Sequence, residues 1–130
     1  MSFKSEFDRA VRISINAAEQ TIRATAIQMF SEIIKQTPVD TGRLRGNWQT
    51  SVNSPAYGVI DGIRPEVVAI NEVTTAAVSL NMGEKLYMAN NLPYAYRISQ
   101  GWSSQRPSGW IENIISTFQA ALDKKAREQR

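Results

Sequence analysis

Cysteine and histidine are both missing from this 130-residue sequence. Without cysteine there is no disulfide framework, no thiolate nucleophile and no sulfur-ligated metal site. The absence fits a reducing cytoplasm, where disulfides are rare. Without histidine the chain lacks the commonest general base, the commonest metal ligand and the usual near-neutral proton switch. Catalysis is left to carboxylates, Lys, Tyr or a hard, oxygen-bound cation, so an enzyme is not expected. Long apolar runs are missing too. No stretch approaches the roughly 20 residues needed to span a bilayer. The first residues, MSFKSEFDR, carry charges where a signal peptide needs an apolar segment. A soluble product with no membrane partner is expected. Charge of one sign is scarce: 15 basic residues stand against 12 acidic ones, net +3, interspersed along most of the chain. That imbalance is too mild to announce nucleic-acid binding.

What the chain does have is apolar pattern. Hydrophobic residues make up 42%, and a chain of this length buries roughly two-thirds of its unfolded surface. One domain over 1–130 is expected, without repeats, low-complexity runs or an interdomain linker. Phe7, Val11, Ile15, Ala18, Ile22, Ala26, Met29 and Ile33 recur at steps of four or three, and Phe30 and Ile34 widen the stripe at its end. The period predicts one long helix from about residue 5 to Gln36, stopped near Thr37 because Pro38 disfavours helical geometry in its predecessor. Positions 7, 18 and 29, and likewise 11, 22 and 33, are eleven apart. That repeat, about 3.67 residues per turn, keeps the stripe straight or slightly right-handed. About 30 helical residues span roughly 45 Å, as long as the whole expected body. The N-terminal turns therefore need cover from the C-terminal helix or from a neighbouring subunit.

Residues 37–107 form the central strands and loops. TPVDTGRLRGN has turn chemistry: Asp40 can accept from backbone amides further on, and Gly42 can take positive φ. Trp48, Thr50 and Val52 alternate with polar residues and predict a strand over 47–53; Leu86 and Met88 predict a second over 85–90. Between them Val67, Ile70, Val73 and Ala77 sit at helical spacing, predicting a helix from about 65 to 77. Pro93 opens a short helical turn. Trp110, Ile111, Ile114, Ile115, Phe118 and Leu122 mark a C-terminal amphipathic helix from about 108 to 127, with Lys124, Lys125 and Arg127 at the favourable end of its dipole.

No catalytic constellation emerges. The carboxylates are scattered without a spacing that implies acid–base partnership or a metal loop, so no catalytic, metal or cofactor site is expected. Asp40 is the only carboxylate in a distinctive setting, and turn formation accounts for it. Gly42 and Gly46 lack the G-K-[ST] of a phosphate loop. Arg43, Arg45, Trp48, Arg97, Trp102 and Arg106 mix basic and aromatic groups as a single-strand binder does. The simpler account puts Trp48 and Trp110 in the core and the arginines in loops or at interfaces, where Arg and Trp are enriched. Trp102, in a polar loop, either plugs the chain's own core or anchors a partner.

Three stretches in order, TPVDTGRLRGNW (37–48), YMANNLPYA (87–95) and GWSSQRPSG (101–109) leading into an amphipathic helix, resemble the tail-completion or neck proteins of long-tailed bacteriophages, also called head–tail joining or minor tail proteins. The plan covers nearly the whole chain. It departs from the family pattern at Arg106, usually a small residue, and at Trp110, usually aliphatic. The resemblance implies an α+β fold, a small antiparallel sheet packed with a long N-terminal and a C-terminal helix. It also implies a ring of subunits, six-fold in the particle, stacked between the head connector and the tail-terminator or tail-tube proteins. The virion, assembled in the host cytoplasm, would be the protein's location. By the same resemblance Asp40, Thr41, Gly42, Arg43, Asn91, Pro93, Tyr94, Trp102 and Pro107 fix loops that meet neighbouring subunits or rings. A basic module touching DNA in the connector lumen is the alternative.

Overall fold

The apolar period at the start of the chain becomes one helix: in the computed structural model α1 runs Phe3–Gln36, 34 residues, about 51 Å long. The structure describes residues 3–39, 42–100 and 106–128, and the side chains of 3–8 and 10–16 lie outside that description. Neither glycine nor proline interrupts α1. Thr37 ends it. Its hydroxyl donates to the Ile33 carbonyl at 2.6 Å, its amide is shared between Ile33 and Ile34, and Pro38 has no amide to continue the ladder.

After Gly42, at φ 77, comes a single turn, α2 (Arg43–Gly46). Strand β1 (Gln49–Val52) pairs antiparallel with β2 (Leu86–Ala89) in the register Gln49↔Ala89 to Val52↔Leu86. Helix α3 (Glu66–Val78) follows Pro65, α4 (Ala95–Ser99) is short, and α5 is Trp110–Glu128. The fold is α+β: a two-stranded antiparallel sheet packed against α1, α3 and α5.

Residues next to each other on α1 point 100° apart, and the helix uses that to serve two partners. Ile33, with Met29, packs against Trp110, Ile114 and Phe118 of α5. Ile34, with Ile27 and Phe30, packs against Ala69 and Val73 of α3. Trp48 and Met88 touch both clusters and join them through the sheet. Phe30 and Ile34 are thus a second contact face, where the sequence suggested a widening of one stripe. Ile22, expected on the buried stripe, is 38% exposed. At that level α1 faces the turn with Leu80 and Met82.

The spacing of α3 also needs correction. Val67, expected on its inner face, is 60% exposed, while Ala69, Val73 and Ala77 are fully buried. Small side chains at 69 and 77 let the α3 backbone approach α1 closely. Val67 stands about 200° around the helix from Ala69. The outer edge of β1 is satisfied by α3: the Thr50 amide donates to Glu72 Oε1 at 2.7 Å, which removes an open strand edge.

Candidate functional site

The C-terminal end of α1 leaves carbonyls without helical partners, and two arginines collect them. Arg45 Nη2 donates to the Lys35 carbonyl at 2.8 Å and the Thr37 carbonyl at 2.7 Å. Its Nε donates to Thr37 at 3.1 Å, and its Nη1 pairs with Glu66 of α3 at 2.8 Å. From the other side Arg106 Nε donates to the Gln36 carbonyl at 2.6 Å. Cations at this position also complement the helix dipole. The Trp48 indole donates to the Thr37 hydroxyl at 2.8 Å, giving the half-buried ring's nitrogen a partner.

Around that end the loops are pinned by polar side chains. Asn47, 1% exposed, donates to the Arg43 carbonyl at 3.0 Å and the Ile60 carbonyl at 3.2 Å, and accepts from the Ile60 amide at 2.8 Å. Arg64 donates to the carbonyls of Gly46, at 2.8 Å, and Trp48, and pairs with Glu72 at 3.1 Å. Asn90 donates to the Leu44 carbonyl at 2.8 Å. Asn91 donates to the carbonyls of Ala56 and Gly58, at 3.0 and 2.9 Å. Gly109 and Trp110 bond back to Ser99 and Ile98 of α4. Residues 42–48 and Asn90, with Arg106, therefore converge on one end of α1, and Asn91 ties in the 56–58 loop.

Of the residues the sequence singled out, Gly42 takes the expected left-handed conformation, and a Cβ placed on it would lie 3.4 Å from Ile63 Cγ2. Arg43 and Tyr94 are half-buried; Asn91, Pro93 and Pro107 are exposed. Asn91 spends its amide holding the 56–58 loop. Asp40, Thr41 and Trp102 lie outside the described residues. Trp110 is in the core as expected, and Trp48 is half-buried between the two clusters. Sequence reasoning missed Asn47, Arg64 and the capping role of Arg45. Polar residues in a loop read alike whether they are hubs or solvated, and only the dense Gly-Asn-Trp sequence after a turn hinted at a hub.

Several apolar side chains in the stretch 57–68 stand exposed: Tyr57 at 85%, Ile63 at 68% and Val67 at 60%, with Val59 and Val68. On the other side of α1, between it and α5, run two open grooves of about 490 and 370 Å³ that share Glu32 and Phe118. Among the described residues no group of three or more Asp, Glu, His or Cys side chains stands close enough to hold a metal. No described helix is long and apolar enough to cross a membrane. Comparison with family models, curated proteins and solved structures finds no match to the chain.

Proposed function

We propose that the chain is a structural subunit of a long-tailed phage particle: a tail-completion or neck ring component that joins the tail to the head connector and carries out no chemistry. The observation that carries this reading is the convergence of residues 42–48, Asn90 and Arg106 on one end of α1. They fix loops beside a stretch whose Tyr57, Ile63 and Val67 side chains are exposed. A ring component needs such a surface to meet the ring above or below it, presented without flexing. The two-helix clamp around a small sheet is the fold the resemblance calls for.

The DNA-contacting alternative draws less support. Arg45 and Arg106, two of the arginines it relied on, give hydrogen bonds to backbone carbonyls of α1. They are not presented as a row for phosphates.

The test is docking. Ile63→Glu places a charge on an exposed position, so folding should be unaffected. In native mass spectrometry of the chain co-expressed with its head connector and tail-terminator proteins, the variant should dock at least about ten-fold more weakly, as a buried charge costing more than 1.4 kcal/mol requires. Docking as tight as wild type sinks the proposal.

A further inference from the structure

The solvent side of α3 carries no charge. Its exposed residues are Val67, Val68, Asn71, Thr74, Thr75 and Val78. The helix's two carboxylates are half-buried, and each pairs with an arginine of this chain, Glu66 with Arg45 and Glu72 with Arg64. A helix face turned to water ordinarily carries charged or polar residues, as α5 does with Glu112, Asp123, Lys124 and Arg127. Five of the six exposed residues on α3 are β-branched, a type that helices disfavour. Packing within the chain does not compensate for that choice: Val67 stays 60% exposed, Val78 58% and Val68 42%.

Val67, Asn71, Thr74 and Val78 fall within about 60° of arc, in a stripe about 17 Å long. Their spacing of four, three and four reads the same from either end. So does their chemistry: apolar, polar, polar, apolar. When two such helices cross antiparallel about an axis between residues 72 and 73, Val67 of each meets Val78 of the other, and Asn71 meets Thr74. Thr74 gives its hydroxyl proton to the Ile70 carbonyl at 3.3 Å and keeps lone pairs to accept from the facing Asn71 amide. A polar pair inside an apolar contact fixes register, as a buried Asn does in coiled coils. Because the face is uncharged, bringing two copies together opposes no like charges.

We infer that α3 pairs antiparallel with α3 of a second copy of this chain, through Val67, Asn71, Thr74 and Val78. The contact is isologous and closes at two copies. It is therefore not a ring contact but a state of the free chain, and it goes beyond the role proposed above without resting on it. One 13-residue helix per copy makes a contact smaller than those of stable complexes. A dissociation constant of about 10–100 µM is expected.

Sedimentation equilibrium of the full chain reads the pairing. Val67→Glu lies in the first turn of α3 and Val78→Lys in the last, the ends where the helix dipole favours each charge. Both side chains are exposed, so circular dichroism should find every variant folded. Either substitution alone buries two unpaired charges per dimer and should weaken pairing at least about a hundred-fold. The double variant sets each new carboxylate opposite a new ammonium of the other copy, and pairing should return to within about ten-fold of wild type. Within one chain the two positions are about 17 Å apart and cannot pair, so recovery reports the crossing itself. Wild-type chain that stays monomeric to about 1 mM overturns the inference. So does a dimer that either single variant leaves intact, or a double variant as monomeric as the single ones.

Discussion

A side chain at Gly46 would collide with backbone: its Cβ would lie 2.2 Å from the Arg64 carbonyl oxygen and 3.0 Å from the Arg64 amide nitrogen. Such contact cannot be relieved by turning a flexible side chain, because Arg64 is fixed through its own bonds to Gly46, Trp48 and Glu72. The α2 turn and the segment leading to α3 are therefore one unit, held by a missing methyl group as much as by hydrogen bonds. Gly46→Ala should destabilise the fold by about 1–3 kcal/mol, the usual range for overpacking, toward the upper end because backbone must move. Urea unfolding measures this as a lowered midpoint at unchanged slope. An unaltered midpoint would mean the two segments are not in contact. Gly46 entered the sequence reading only as a failed phosphate loop, since nothing local to TGRLRGNW announces a neighbour 18 residues on. Gly42, whose positive φ is demanded by its own turn, was legible.

At the scale of elements, legibility followed hydropathy. Helices α1 and α5 were readable because their apolar residues recur over many turns, and each strand was placed within three residues at either end by alternation. On α3, Ile70, Val73 and Ala77 were placed on the inner face as found, but Val67 was put there and Ala69 missed, because alanine carries little hydropathic weight while the valines at 67 and 68 face outward. The second face of α1 was hidden for a related reason: Ile33 and Ile34 are adjacent, and a one-stripe reading assigns them together. Two substitutions separate the faces. Trp110→Ala removes the largest side chain between α1 and α5 and should cost about 3–5 kcal/mol. Val67→Ser, on a side chain 60% exposed, should stay within about 0.5 kcal/mol of wild type. Thermal unfolding by circular dichroism reads both. A Val67→Ser loss approaching that of Trp110→Ala would restore Val67 to the core and refute the observed orientation of α3.

For the whole molecule, the two clusters that hold the fold draw on α1, among the described residues, from Ile27 to Ile34. Deleting residues 1–13 tests whether those clusters are what the body stands on. The shortened chain should keep a cooperative thermal transition within a few degrees of full length, since about 1 kcal/mol moves Tm by only several degrees at this size. A transition lowered by far more, read by circular dichroism, would mean that the first turns of α1 hold the body together as the two clusters do.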